Sequence, residues 1–188
     1  MSTNKGRIGI IYPADGVLDY EFWRCAPPGV SVHITRQPIA LAADLKIDLN
    51  QQLLIMAESS DLEWAAKTFS PVKLDCVSYA CTAVSFIRGV GYDAEIIRRI
   101  QMASGSPAST TTTAVVAALQ EIGVSKLSVV APYVDQVCKK LKIYFEESGF
   151  EIVNMINLDM SDGMAIGGVP AEKVFDLGVE ADIPEAQA

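Results

Sequence analysis

The chain has 188 residues, half of them hydrophobic, with a formal net charge of −8 and a pI of about 4.6. This length is enough to bury a core in one large domain or two small lobes. The acidic balance argues against nucleic acid as a partner. The sequence contains no run of about 18 apolar residues, so we expect no membrane span. The N-terminus lacks the apolar stretch and cleavage signal of a secreted protein, so we expect no signal peptide.

The cysteines and the histidine limit the chemistry that this chain can carry. The cysteines, at positions 25, 76, 81 and 138, form no CxxC pair and have no metal-ligand spacing. Sparse thiols of this kind are typical of reduced cysteines in a cytoplasm rather than of a disulfide framework. His33 is the single histidine of the sequence, so we expect neither a His-rich metal site nor a catalytic triad. The sequence therefore predicts no metal and a cytoplasmic protein.

The first half of the chain alternates apolar strand patterns with helical ones. The predicted strands are RIGIIYP (7–13), VSVHITR (30–36) and KLDCVSYA (73–80). The predicted helices are LDYEFWRCA (18–26), DLNQQLLIMAESSDLEWAAKTF (48–69) and YDAEIIRRIQMAS (92–104). Because SSDLE is a cap-like stretch, we expect the long second helix to break around Ser59 and Ser60.

The second half continues the same alternation after a hydroxyl-rich stretch, SGSPASTTTT (104–113), which predicts a loop. The predicted strands are KLSVVAP (126–132) and EIVNMINL (151–158), and the predicted helices are AVVAALQEIG (114–123), VDQVCKKLKIYFEESG (134–149) and PAEKVFDLGVEA (170–181). A glycine-containing loop is expected before the last helix. Strands that alternate with helices predict an α/β fold with mainly parallel sheets flanked by helices.

The order of these elements indicates an internal repeat. IGIIYP and LSVVAP are both apolar strands closed by a proline, Pro13 and Pro132, and each precedes a helix. If they open two similar lobes, the counterpart of Cys81 lies 81 − 13 = 68 residues after Pro132, near position 200 and beyond Ala188. We therefore expect a first lobe over 1–110 and a second, incomplete lobe over 111–188.

Cys81 is the leading candidate for chemistry. It lies at the carboxyl end of a predicted parallel strand, where α/β sheets bind their ligands, and Thr82 follows it with a hydroxyl group. A thiolate there would be a nucleophile, whereas the alternative is a small residue that fills the core. Tyr133, after the LSVVAP strand, either offers its hydroxyl to the same face or is a buried tyrosine with a satisfied hydroxyl.

Two further stretches have both a functional and a structural interpretation. Asp15, in the turn PADG, is either a carboxylate of a ligand loop or part of a plain turn. The hydroxyl groups of SPASTTTTA (106–114) either bind a carboxylate or cap the helix that follows. The sequence pattern alone leaves both pairs of alternatives open.

The segments SYACTAVSFIRGVGYDAEI and SPASTTTTAVVAALQEIGVSKLSVVAPYVDQV resemble the aspartate/glutamate racemase superfamily. Within it, the chain is most similar to the branch of maleate cis-trans isomerases and arylmalonate decarboxylases, and the opening GIIYPADG also fits. The resemblance covers nearly the whole chain. It implies two similar α/β lobes related by a pseudo-twofold axis, an active site between them, no cofactor, and a homo-oligomer.

The resemblance also assigns roles to residues. Cys81 matches the first-lobe thiol, which in the isomerases adds to the substrate double bond; in the decarboxylases a glycine replaces it. Thr82 and Ala83 match the segment that holds a substrate carboxylate, and Tyr133 matches the tyrosine that completes that pocket. The expected function is therefore maleate-type isomerisation of a small dicarboxylate. A decarboxylase or amino-dicarboxylate racemase, and an inactive carboxylate-binding protein, are the alternatives.

The chain departs from the family pattern in two places. The isomerases carry an asparagine in the opening loop, where this chain has Asp15 and Gly16, which we expect to contact the substrate. The second cysteine motif of the family, expected near position 200, is absent from the 188 residues. The internal repeat and the family resemblance both place this second cysteine motif near position 200.

Overall fold

The computed structural model of the protein describes residues 5–39 and 47–188. The elements of the first half are β1 (Gly6–Pro13), α1 (Asp19–Cys25), β2 (Val30–Gln37), α2 (Leu49–Glu58), α3 (Asp61–Lys67), β3 (Cys76–Tyr79), α4 (Thr82–Phe86) and α5 (Tyr92–Ser104). Those of the second half are β4 (Ala108–Thr110), α6 (Thr111–Glu121), β5 (Lys126–Tyr133), α7 (Asp135–Glu147), β6 (Glu151–Met160), α8 (Gly163–Gly167) and α9 (Ala171–Ala181).

The described strands form two sheets. The first has the order β2-β1-β3-β4 and the second pairs β5 with β6, and every pairing is parallel. Parallel neighbours need a crossover, and helices provide it in both sheets, for example α1 between β1 and β2 and α7 between β5 and β6. The predicted α/β fold with parallel sheets flanked by helices is confirmed.

The two sheets share one buried cluster. Ile11, Val77 and Tyr79 contribute to it from the first sheet, and Leu127 and Ile152 from the second. Helix α7 adds its apolar face, and its buried residues are Val137, Cys138, Leu141, Tyr144 and Phe145. The carboxyl ends of β1, β3 and β5 therefore lie over a common core. The proposed boundary near residue 110 and the pseudo-twofold relation of two lobes stay predictions.

The predicted break in the long helix is confirmed. Helix α2 starts with a capping box, in which Asp48 accepts from the backbone N–H of Gln51 and the Gln51 side chain accepts from that of Asp48. At the break, the backbone N–H of Asp61 donates to Ser59 Oγ at 3.0 Å, which satisfies a donor at the start of α3. The serine pair thus separates two helices, as its local chemistry indicates.

Two predicted loops are shorter than expected, and one helix was not predicted. The hydroxyl-rich stretch was expected to be a loop throughout, but β4 extends the first sheet and α6 begins at Thr111. The segment after Cys81 forms the five-residue helix α4, and the glycine-containing loop contains α8. Thr110 is the N-cap of α6 and accepts from the N–H of Thr113 at 3.2 Å, so here the capping alternative is correct.

Within residues 5–39 and 47–188, none of the helices combines the length and the apolar character needed to cross a membrane. In the same two ranges, no group of three or more His, Cys, Asp or Glu side chains is placed to hold a metal ion.

Candidate active site

A cavity of about 420 Å³ opens where the carboxyl ends of β1, β3 and β5 meet. Carboxyl ends of parallel strands are the usual ligand-binding edge of α/β sheets. The predicted site residues that line it are Asp15, Cys81, Thr82, Ala83 and Tyr133. Apolar side chains from α2 and α8 close the other side, among them Leu53, Met56, Met164 and Ile166. The fold thus brings residues from both halves of the chain into one cavity.

Cys81 lies between strand and helix. It follows β3 and is the N-cap residue of α4, with extended backbone angles, and its side chain is only partly exposed. Burial raises the pKa of the Cys81 thiol to about 11, and the Asp15 carboxylate adds to this effect. The backbone N–H of Val84 and the hydroxyl of Tyr79 hydrogen-bond the sulfur and act in the opposite direction. At neutral pH the resting group is therefore a thiol.

Thr82, Ala83 and Tyr133 offer hydrogen-bond donors beside Cys81. Thr82 and Ala83 form the first turn of α4, where backbone N–H groups have no partner within the helix. Burial, followed by the nearby thiol of Cys81, raises the pKa of Tyr133, and a hydrogen bond with Thr82 acts against this. Tyr133 therefore keeps its phenol proton. Its ring packs edge-on against Phe86, with the centroids 6.0 Å apart. The arrangement can bind a carboxylate next to the sulfur.

The PADG turn contains two predicted substrate contacts, Asp15 and Gly16, and Asp15 is the one that lines the cavity. Asp15 lines the cavity, and its Oδ1 accepts from the N–H of Val17 at 3.3 Å. Gly16 has a φ of 64° and does not belong to the cavity lining; a Cβ there would lie 3.2 Å from Arg36 Nη2. The guanidinium of Arg36 forms an ion pair with the carboxylate of Asp19. Asp15 is thus the acidic group of this loop that faces the cavity.

The comparisons with known proteins agree with this geometry. The model of the arylmalonate decarboxylase family matches residues 58–188, which is more than half of the chain. The chain belongs to this family. The matched segment begins in α2 and contains Cys81, Thr82, Ala83 and Tyr133. The family resemblance found in the sequence is thereby confirmed.

Individual relatives lie in the two branches that the sequence indicated. A maleate isomerase of Geobacillus stearothermophilus is 24% identical over 143 residues, 73% of this chain and 56% of that protein. An arylmalonate decarboxylase of Bordetella bronchiseptica is 29% identical over 105 residues, 56% of this chain and 44% of that protein. The chain spans about half the length of the curated relatives that it matches.

The solved structures show the same fold. One is a cysteine-to-serine mutant of the Nocardia farcinica maleate cis-trans isomerase with a covalently bound succinylcysteine intermediate. It superposes with a TM-score of 0.82 at 21% identity, covering 96% of this chain and 75% of that one. This likeness shows that the chain shares the fold of that isomerase.

Several residues around Cys81 were not predicted from the sequence. Tyr12, from β1, lines the cavity, and burial followed by the charge of Asp15 raises the pKa of its phenol. Tyr79 and Gln37 form a buried pair behind Cys81, joined by a hydrogen bond of 2.6 Å. Tyr79 had a detectable signal, because residues i and i+2 of a strand point to the same face. Gln37 had none, because its partner is 42 positions away.

Proposed function

We propose that the protein is a cofactor-independent enzyme that isomerises a small maleate-type dicarboxylate with Cys81 as its nucleophile. The observation that carries this proposal is the cavity itself, in which one thiol lies next to the donors of Thr82, Ala83 and Tyr133. Membership of the family and the maleate isomerases among its relatives support the same chemistry. The covalent succinylcysteine of the Nocardia farcinica structure supports a covalent route through sulfur.

The proposed reaction begins when the Cys81 thiol releases its proton to solvent in the cavity and the thiolate adds to one alkene carbon of the cis substrate. A C–S bond forms, the alkene π pair moves toward the adjacent carboxylate, and that carboxylate becomes an enediolate. The former double bond is now single, so the chain rotates about it. The enediolate electrons then re-form the double bond and expel the thiolate, which leaves the trans product and the original enzyme. No external oxidant or reductant is needed.

The donors around the sulfur stabilise the charge that develops in this step. Negative charge on the carboxylate oxygens grows when the sulfur adds, and donors fixed in a partly buried site stabilise it more than water does. The Thr82 hydroxyl, the Ala83 N–H and the Tyr133 phenol would hold those oxygens. Tyr133 is suited to this role because burial raises its pKa and keeps it a proton donor.

The protonated state of Cys81 favours a second candidate, in which the protein is an arylmalonate-type decarboxylase or an amino-dicarboxylate racemase. There an enediolate forms first, by loss of carbon dioxide or of an α-proton, and a thiol gives its proton to the α-carbon. Burial keeps Cys81 in the thiol form that such a step requires. A catalytically inactive carboxylate-binding protein would use the same donors without either reaction.

Proton NMR in heavy water separates these candidates. The protein is incubated with maleate, phenylmalonate and aspartate in turn. We expect fumarate from maleate, with no product when Cys81→Ser replaces the wild type. Deuterium at Cα of aspartate, or deuterated phenylacetate from phenylmalonate, would replace the isomerase by the second candidate. Binding of maleate without any product would favour the inactive carboxylate-binding protein.

We also propose a cytoplasmic homo-oligomer. All four cysteines are free thiols, which supports a reducing compartment. Large apolar side chains are exposed on α1 and α9, including Trp23 and Phe175, and such surfaces support self-association. Light scattering of the purified chain measures the mass of the particle, and a monomer at micromolar concentration would contradict the proposal.

A further inference from the structure

Behind the cavity, Tyr79 and Gln37 form a fully buried hydrogen-bonded pair. Both side chains have 0% exposure. The hydroxyl of Tyr79 at the end of β3 lies 2.6 Å from Oε1 of Gln37 at the end of β2. The other end of the amide is also engaged, because Nε2 of Gln37 donates to the carbonyl of Met56 at 2.8 Å. The pair is therefore anchored to α2 at one end.

The Met56 contact fixes the direction of the hydrogen bonds. A carbonyl oxygen only accepts, so the NH₂ group of Gln37 faces Met56 and its Oε1 faces Tyr79. Because this oxygen also only accepts, the hydroxyl proton of Tyr79 points toward Gln37 in the described structure. The phenol oxygen then has its lone pairs free for a donor on the other side.

Cys81 lies on that other side. Tyr79 is the last residue of β3, and Cys81 follows two positions later with extended backbone angles, so the two side chains leave the chain on the same side. Cys81 packs against the core cluster that contains Tyr79, and a side-chain hydrogen bond between the two groups contributes to the pKa of each. A phenol has a single proton, so Tyr79 cannot donate to Gln37 and to a thiolate at the same time. The two acceptors must compete for it.

We propose that Tyr79 is a positioning residue with two hydrogen-bonding positions, its hydroxyl pointing to Gln37 while Cys81 is a thiol and to the sulfur while Cys81 is a thiolate. In the first position the S–H of Cys81 donates to the phenol oxygen. When the thiol proton leaves to solvent through the cavity, the hydroxyl rotates and donates to the sulfur. Tyr79 itself keeps its proton throughout, because full burial raises its pKa well above the ordinary value.

The two members of the pair therefore act in opposite directions on the reactivity of Cys81. Tyr79 stabilises the thiolate by donating to it, whereas Gln37 stabilises the thiol by holding the phenol proton away. The inference rests on the proposed function only in treating Cys81 as the reacting group. Together the two residues stabilise Cys81 as a thiol at rest and as a thiolate when it reacts.

Other titratable and charged groups face this pair and stay unchanged in the test. Tyr12 and Asp15 face Cys81 from β1 and the loop after it, and Tyr133 faces it from β5. Tyr92 and Arg99 face Tyr79 from α5. Asp162 lines the cavity next to α8. Because each single substitution leaves all of these in place, a change in reactivity reports on the altered side chain.

The test measures alkylation of Cys81 by iodoacetamide, followed by peptide mass spectrometry, between about pH 7 and about pH 9. In this range the rate is proportional to the small thiolate fraction. We expect Tyr79→Phe to react about tenfold more slowly, because a hydrogen bond to the charged sulfur is lost. We expect Gln37→Met to react several-fold faster, because the phenol proton no longer has a competing acceptor. Gln37→Asn, whose shorter amide falls short of Tyr79, is the substitute if Gln37→Met does not fold.

The matched control is Tyr144→Phe. Tyr144 is also a buried tyrosine, and its hydroxyl lies 3.1 Å from Oδ2 of Asp93 rather than near the sulfur. It should leave the rate of Cys81 unchanged. Slower alkylation in both the Tyr79 and the Gln37 variants, or no change in Tyr79→Phe, would overturn the proposal, because a purely structural pair moves both in one direction. Alkylation needs no substrate, so this result is independent of whether maleate is turned over.

Discussion

Two thiols of this chain contact the same core and have opposite surroundings. Cys138 lies in α7, has 3% exposure, and donates from its sulfur to the carbonyl of Tyr133 at 3.2 Å. Cys81 follows β3, faces a cavity, and has hydrogen-bond donors on several sides. Burial raises the pKa of both thiols. Burial alone therefore does not distinguish a reactive thiol from an inert one; the open cavity and the donors do.

The difference between the two thiols predicts that replacing Cys81 has the largest effect on kcat and that replacing Cys138 has none. Cys81→Ser should lower kcat for the proposed isomerisation by at least about 10³-fold, because a neutral serine hydroxyl is a far weaker nucleophile than a thiolate. Cys138→Ser should keep wild-type kcat, since its hydroxyl can still donate to the carbonyl of Tyr133. Fumarate formation is followed by absorbance. Equal losses in the two variants would remove the distinction between the two sites.

The donors beside Cys81 should produce the next largest effect. Tyr133→Phe and Thr82→Val should each lower kcat/KM for maleate by about 10²-fold, because each removes a donor to the enediolate oxygens. Tyr144→Phe removes a buried hydroxyl that does not line the cavity, and it should stay near the wild-type value. Steady-state kinetics at one pH provide the comparison, and circular dichroism shows whether each variant is folded.

Replacing Asp15 should have a smaller effect, and it should improve the binding of maleate. Its carboxylate lines the cavity and contributes to raising the pKa of Cys81, so it opposes both a negative substrate and the thiolate. Asp15→Asn keeps an oxygen for the N–H of Val17 and removes the charge. We expect KM for maleate to fall by about three- to tenfold, in line with one like charge removed from a partly exposed site. A higher KM would mean that the carboxylate binds the substrate through a donor.

The smallest effect concerns stability at alkaline pH. The unfolded Cys81 thiol ionises from about pH 8.5, whereas the folded one ionises only near 11. Between these values the folded chain binds more protons than the unfolded chain, so the free energy of unfolding falls as pH rises. Over this window the wild type should lose up to about 3 kcal/mol more than Cys81→Ala. Urea denaturation at several pH values measures this difference, and parallel curves would contradict it.

The fold was largely readable from local patterns. The predicted strands that end at Pro13 and Pro132 appear as β1 and β5, each the first of its sheet in chain order, and the serine pair separates two helices. The short elements were not readable. The three residues of β4 pair with β3 through contacts distant in sequence, and the five-residue helices α4 and α8 are too short to show a helical period.

The candidate site was readable only in part. The position of Cys81 at a strand end indicated the correct edge of the sheet, and the family resemblance added Thr82, Ala83 and Tyr133, which line the same cavity. Thr110 caps the following helix, which was one of the predicted alternatives, but Thr112 donates to Ser85 and Thr113 donates to Asp93. Such partners depend on which chain segments pack together, and a linear pattern carries no information on that.

The most direct test of the central claim compares Cys81 and Cys138 by alkylation in the presence and absence of maleate. Native protein is treated with iodoacetamide at neutral pH, and the modified peptides are quantified by mass spectrometry. The account predicts that Cys81 is labelled faster than Cys138 and that maleate slows only the labelling of Cys81. Equal, slow labelling of both thiols with no effect of maleate would contradict a functional cavity at Cys81.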